Sequence, residues 1–168
     1  MKKVANRKEI KRMNKIYAAY GSNIHPVVIS SWAPEAKEVG VGLIKNYGLT
    51  FRGGLATIEP QEGEEVPIKL YEITQEDEIG LDEYEGYAIK LYDKINLPIE
   101  IKEYNENYIM RLVEPAEAMV YIMDSKYPKS MPSKDYLNSI IYGYKNTEEH
   151  YKKEIFTIEK IWKALTLK

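Results

Sequence analysis

Apolar and polar residues alternate with a period of two along much of this chain, interrupted by one helical stretch after Thr74 and giving way to helical spacing in the last third. Ile16-Tyr17-Ala18-Ala19-Tyr20 forms a short strand, stopped by Gly21-Ser22-Asn23. Val39, Val41 and Leu43 share one face of an extended segment. Asn46-Tyr47-Gly48 then predicts a turn, with Leu49 and Phe51 on the returning arm of a hairpin. Arg52-Gly53-Gly54 interrupts before a strand at Leu55-Ala56-Thr57-Ile58, and Gln61-Glu62-Gly63 predicts another turn. Val66, Ile68 and Leu70 alternate with Pro67, Lys69 and Tyr71, which predicts a strand with one buried face. Pro67 places its start near a sheet edge.

Thr74 followed by Asp77 reads as an N-cap with an acid at the third helical position, opening a helix that runs to about Glu85 and ends at Gly86. Extended segments are expected around Tyr92–Ile101, Tyr108–Val113 and Ala118–Met123. The loop Asp124–Pro132 is rich in Pro, Ser and Lys. Ser133 caps a helix with Leu137, Ile140, Ile141 and Tyr144 on one face. Thr147, followed by Glu148 and Glu149, predicts a last helix carrying Tyr151, Ile155, Ile158, Trp162 and Leu165. Six or so strands with intervening and trailing helices form neither a βαβ array nor a pure sandwich. The expected class is α+β, a mixed, curled β-sheet or small β-barrel with flanking helices. Residues 15–168 form one expected domain, preceded by a basic, disordered extension at residues 1–14.

Composition narrows the chemistry. The chain has 168 residues and no cysteine, which excludes thiol nucleophiles and thiolate metal sites. His25 and His150 are the only histidines and read as structural, so a multi-histidine metal centre has little to work with. Tyrosine is abundant, 15 against two phenylalanines, and most of that excess fits an amphipathic core and rim. Carboxylates, tyrosines, hydroxyls and backbone amides must carry any reaction. The net charge of −2 hides a split: residues 1–15 hold seven cations against Glu9, while the remainder holds seventeen cations against twenty-five acids. An acidic body argues against a nucleic-acid partner. No apolar run is long enough to span a membrane, and no secretory signal is evident, so a cytoplasmic location is expected.

Four segments are candidates for chemistry. Tyr20-Gly21-Ser22-Asn23, at the end of the first strand, can turn several N–H groups towards one anion, although these are also ordinary turn residues. Leu81-Asp82-Glu83-Tyr84-Glu85-Gly86-Tyr87 places Glu78, Asp82 and Glu85 in an acidic stripe. Most such stripes are solvated surface. Glu85, however, sits in the last helical turn, where the dipole disfavours negative charge, and nearby like charges and tyrosines would raise its pKa. The paired glycines of Arg52-Gly53-Gly54-Leu55-Ala56-Thr57 let backbone approach a ligand, or form a bulge. Pro132-Ser133-Lys134-Asp135-Tyr136 sets a tyrosine in the first turn of a helix.

Taken in order, Ile16 to Asn23, Gly53 to Ile58, Leu81-Asp82-Glu83-Tyr84-Glu85-Gly86 and Pro132 to Tyr136 resemble the γ-glutamylcyclotransferase superfamily. Tyr-Gly-Ser-Asn and Leu-Asp-x-x-Glu-Gly match its signatures, and the similarity covers roughly residues 15–145. Ala33-Pro34-Glu35-Ala36, Leu43 to Phe51 and Glu114 to Met123 look like its small bacterial members. The resemblance implies a barrel-centred α+β fold and cleavage of a small-molecule γ-glutamyl amide to 5-oxoproline, with no cofactor and no metal. It implies Glu85 as general acid/base, and Ala19, Tyr20, Gly21, Ser22, Asn23, Gly54, Tyr92 and Tyr136 as substrate-binding positions. Trp32 departs from the pattern, since many bacterial relatives carry arginine there. Trp32 and the basic arm motivate the alternative, a non-catalytic ligand-binding or interaction protein on the same fold. The leaving group and oligomeric state stay open.

Overall fold

The computed structural model describes residues 14–166, so residues 1–13 of the expected extension lie outside the described residues. Among the described residues there are five strands: β1 (Lys15–Ala19), β2 (Lys37–Arg52), β3 (Leu55–Ile73), β4 (Tyr92–Tyr104) and β5 (Ala116–Met123). Four helices accompany them: α1 (Pro26–Trp32), α2 (Gln75–Tyr84), α3 (Lys134–His150) and α4 (Ile158–Ala164). The strand order β1-β3-β2-β4-β5 closes on itself as a barrel. Four of its seams are antiparallel, and the fifth is the parallel contact Tyr17↔Met119 between β1 and β5. The fold is the expected α+β class, a mixed curled sheet with helices outside it. Tyr17, Phe51, Leu70, Tyr121 and Val120 belong to its buried core.

The turns fall differently from the sequence reading. β2 and β3 are single long strands, paired from Lys37↔Glu72 to Arg52↔Leu55. The predicted turns at Asn46-Tyr47-Gly48 and Gln61-Glu62-Gly63 do not reverse the chain. They face each other across a register shift, where Asn46 (φ 60) accepts the Gly63 N–H on Oδ1 at 3.1 Å and Gly63 has φ 82. A bulge consumes the conformational freedom that the sequence signalled. Reversal occurs at Gly53 (φ 55) and Gly54 (φ 75), the paired positive values of a type I′ hairpin turn. Both faces of Val66–Tyr71 are buried, and β1 pairs with β3 only over Lys69–Ile73, so Pro67 lies beyond the end of that seam.

Three further expectations change. Tyr108–Val113 forms no strand, because β4 already pairs with β5 from Tyr92↔Met123 to Ile99↔Ala116 and leaves that segment no open seam there. Thr147 caps nothing: it is buried inside α3 and its hydroxyl donates to the Gly143 carbonyl at 2.7 Å. The last helix starts instead after Thr157, and the Glu148 carboxylate accepts the Ile155 and Phe156 amides to hold the intervening chain. Finally, α1 has no counterpart in the sequence reading, although Pro26 at its first position and His25, whose Nδ1 accepts the Val27 amide, are standard helix-start signals. His25 also stacks on Tyr142 at 4.4 Å, a structural role.

Candidate active site

Beyond β1 the chain enters a 3₁₀ turn at Ser22–Ile24, whose first internal bond is Ile24 N–H to the Gly21 carbonyl at 3.1 Å. The Ser22 and Asn23 amides therefore precede the donors that the turn itself consumes. A Cβ on Gly21 would stand 3.3 Å from Ala56 Cβ and 3.7 Å from the Tyr136 hydroxyl, so glycine permits the close seating of this turn against β3.

Glu85 arrives from α2. Thr74 and Asp77 form a reciprocal capping box at its start. At its end Tyr87 N–H bonds the Asp82 carbonyl at 2.9 Å and Gly86 N–H bonds that of Glu83 at 3.2 Å, a Schellman motif with Gly86 at φ 65. This termination fixes Glu85 at the C-cap, facing the 3₁₀ turn: Asn23 Nδ2 donates to its Oε1 at 3.3 Å and to the Tyr17 hydroxyl at 3.0 Å. The acidic stripe does not act as a unit. Glu78 and Asp82 both bind Lys94 at 3.0 Å, and Asp82 also accepts the Tyr121 hydroxyl at 2.6 Å. Burial alone pushes the Glu85 carboxyl up to about 8. The sequence expectation of a raised pKa from neighbouring like charges needs that correction, since Lys94 compensates those charges.

Tyrosines complete the enclosure. Tyr136 is set by the Ser133 cap of α3, and its hydroxyl accepts the Ala56 amide at 3.0 Å. Tyr92, at the start of β4, donates to the Ala56 carbonyl at 2.5 Å. One residue of β3 thus anchors two tyrosines from different elements. Tyr20 donates to the Tyr121 carbonyl at 2.5 Å, and Ser22 Oγ shares a 2.6 Å bond with the Tyr84 hydroxyl. The Tyr84 ring lies 5.1 Å from that of Trp32. Burial raises the pKa of Tyr17, Tyr20, Tyr92 and Tyr136, so these phenols stay neutral.

Tyr17, Tyr20, Gly21, Ser22, Asn23, Ala56, Glu85, Tyr92, Tyr121 and Tyr136 line one small cavity of about 20 Å³. Of the residues singled out in the sequence, Glu85, Tyr20, Gly21, Ser22, Asn23, Tyr92 and Tyr136 meet there. Ala19 is buried within β1, and Gly54 lies in the hairpin turn, 3.4 Å from the Met131 carbonyl by its ideal Cβ; neither lines the cavity. Tyr17 and Tyr121 were not singled out. Tyr17 carries a signal in retrospect, an inward aromatic three residues before the Tyr-Gly-Ser-Asn turn, whereas Tyr121 has no local signal. A larger groove, about 510 Å³, runs between the β2–β3 ribbon and α4. Its acids are paired, Glu59 with Arg52, Glu64 with Lys163 and Glu65 with Lys160, and a hydrogen bond from Lys45 holds Glu65 below the usual carboxylate range. Volume favours the groove and chemistry the small cavity; a buried carboxyl without a cation is the stronger mark of a reactive site. Among the described residues no cluster of His, Cys, Asp and Glu is arranged to hold a metal ion.

A family model described as gamma-glutamyl cyclotransferase, AIG2-like matches residues 17–138. A solved structure named gamma-glutamyl cyclotransferase superposes with TM-score 0.72 at 22% identity, covering 92% of this chain and 88% of its own. An uncharacterized protein from Homo sapiens gives 0.71 at 23%, with 93% and 89% covered. YkqA from Bacillus subtilis gives 0.67 at 18%, covering 95% of this chain and 57% of its own. At such identities the likeness is one of fold. No curated protein matches the sequence.

Proposed function

The chain belongs to the gamma-glutamyl cyclotransferase, AIG2-like family, and from that membership we propose that it cleaves a γ-glutamyl amide to 5-oxoproline and an amine or amino acid, with Glu85 as general acid/base. The observation that carries this reading is Glu85 itself: a carboxyl with no cation beside it among the described residues, raised to about 8, in a cavity formed with the Gly21–Asn23 turn.

A γ-glutamyl amide contains its own nucleophile. Its α-amine can reach the γ-carbonyl and close a five-membered lactam, so positioning replaces an enzyme nucleophile. Ionised Glu85 takes one proton from the α-ammonium, whose ordinary pKa of about 8 is close to its own. The freed nitrogen lone pair attacks the γ-carbon and the carbonyl electrons move to oxygen. Amides of the Gly21–Asn23 turn receive that oxyanion, and loss of one such donor costs about 3 kcal/mol in other enzymes. Glu85 returns its proton to the departing nitrogen as the old C–N bond breaks. It then takes the second proton from the new lactam nitrogen, and that proton leaves on the released amine as ammonium. Neutral Tyr20, Tyr92 and Tyr136 keep a second charge out of the cavity. At about 20 Å³ the cavity holds little more than a water molecule, so substrate entry moves side chains of its wall.

Incubation with a panel of γ-glutamyl dipeptides and γ-glutamyl amines should release 5-oxoproline, and Glu85→Gln should abolish release without loss of the fold. Turnover that survives Glu85→Gln overturns the assigned role. Binding of 5-oxoproline with no turnover of any amide would favour a ligand-binding protein instead.

A further inference from the structure

Asn23 is 2% exposed, and its two polar atoms have different fates. Nδ2 has two partners, the Tyr17 hydroxyl at 3.0 Å and Glu85 Oε1 at 3.3 Å. Oδ1 is buried and has none among the described residues. An unsatisfied buried carbonyl is costly enough to require an explanation. The orientation of the amide is not arbitrary. When Glu85 is ionised it only accepts, so the carboxamide must turn its NH2 towards it and its oxygen away. The Tyr17 oxygen, taking the second Nδ2 proton, holds the same orientation from the other side. The Tyr17 ring is itself fixed, edge-on to Tyr121 at 5.8 Å and stacked on Tyr71 at 6.4 Å.

We propose that Asn23 Oδ1 is the receptor for the α-ammonium of the glutamyl group, and that Tyr17 is a positioning residue that locks the carboxamide in the orientation this requires. The inference rests on the cyclotransferase reading and says which atom of the substrate the orphan oxygen takes. The two polar atoms of one carboxamide are neighbours, so a nitrogen bound to Oδ1 stands beside the carboxylate bound to Nδ2. One ammonium proton is held by Asn23 while another transfers to Glu85, and the lone pair left behind faces the γ-carbonyl. The site thereby selects for a free α-amine, because an acylated nitrogen brings bulk and no charge to a buried acceptor.

The test is calorimetric binding of L-glutamate and of glutarate, which differ only in the α-amino group, to the full-length protein. Wild type should bind L-glutamate about 10- to 100-fold more tightly, the range of one hydrogen bond from a charged donor. Asn23→Leu should lower that ratio by about 10-fold or more, Glu85 remaining as the second contact of the ammonium. Tyr17→Phe keeps the ring contacts and removes only the hydroxyl, and should lower the ratio by a factor of about 3 to 10. A merely structural Tyr17 would weaken both ligands equally. A ratio unchanged in either variant that folds overturns the proposal, even where 5-oxoproline is still released and the cyclotransferase reading stands. If wild type binds neither compound and turns over no γ-glutamyl amide, both readings fall together.

Discussion

Glu38 and Glu85 are two partly buried carboxylates in one small barrel, and their surroundings drive them in opposite directions. Burial pushes both towards the neutral form. At Glu38 that push is overcome by Lys69, itself nearly inaccessible, at 2.8 Å, with hydrogen bonds from Tyr151 at 2.6 Å and Asn105 at 2.7 Å, and its pKa falls below the ordinary value. At Glu85 no cation among the described residues opposes burial, and the carboxyl rises to about 8. Depth in the protein does not decide which way a carboxyl shifts. The distinction lies in whether the buried charge has been given a partner.

The contrast can be broken most severely at Glu85. Replacement by Gln preserves shape and removes the titrating proton, and should lower kcat/KM for a γ-glutamyl amide by about 10²- to 10⁴-fold, read as 5-oxoproline release. Breaking it from the other side, Lys69→Met leaves Glu38 without its cation. We expect a loss of about 3 kcal/mol, or of the order of 10 °C in Tm, with much of it recovered in the double variant Glu38→Gln/Lys69→Met. Full stability of the single variant in thermal scans would show that the pair contributes nothing.

Proton linkage sharpens the comparison further. Because the folded-state pKa of Glu85 is raised, its contribution to stability is intact below its ordinary value of 4.5 and lost as pH climbs to about 8. For Glu38 the folded value is depressed, so its contribution is present above the ordinary value and lost as pH falls through the lower one. Glu85→Gln should therefore gain Tm over wild type on the alkaline side, while Glu38→Gln should flatten the acid limb. In the same window kcat/KM should rise with pH as Glu85 ionises near 8; a rate independent of pH across that value would remove it as the base. The smallest expected effect is at the rim. Tyr84→Phe deletes the 2.6 Å bond to Ser22 and should raise KM about 3- to 10-fold with little change in kcat.

Much of this site is legible in the sequence where local geometry is self-contained. The Thr74–Asp77 box, Gly86 at φ 65 and the Ser133 cap each follow from residues within a few positions, and they place Glu85 and Tyr136 on their helices. Legibility fails where the same local signal has two outcomes. Asn46 and Gly63 carry turn chemistry, but a long-range pairing between them makes a bulge. Thr147 looks like a cap, but the helix before it continues because Gly143, Tyr144 and Thr147 are buried, Gly143 against the Ile24–His25 segment and Tyr144 against Phe156.

The sequence by itself determined which groups were available: no thiol, two histidines, a Tyr-Gly-Ser-Asn turn, and an acid at a helix end. It also determined the alternation that makes strands and the caps that end helices, because both are set by near neighbours. Only the tertiary structure decided which acid is enclosed without a counter-charge. Lys94 reaches Glu78 and Asp82 from β4, Lys69 reaches Glu38 from β3, and among the described residues nothing cationic reaches Glu85. Burial and charge compensation are properties of neighbours in space, and closing the barrel is what chooses those neighbours.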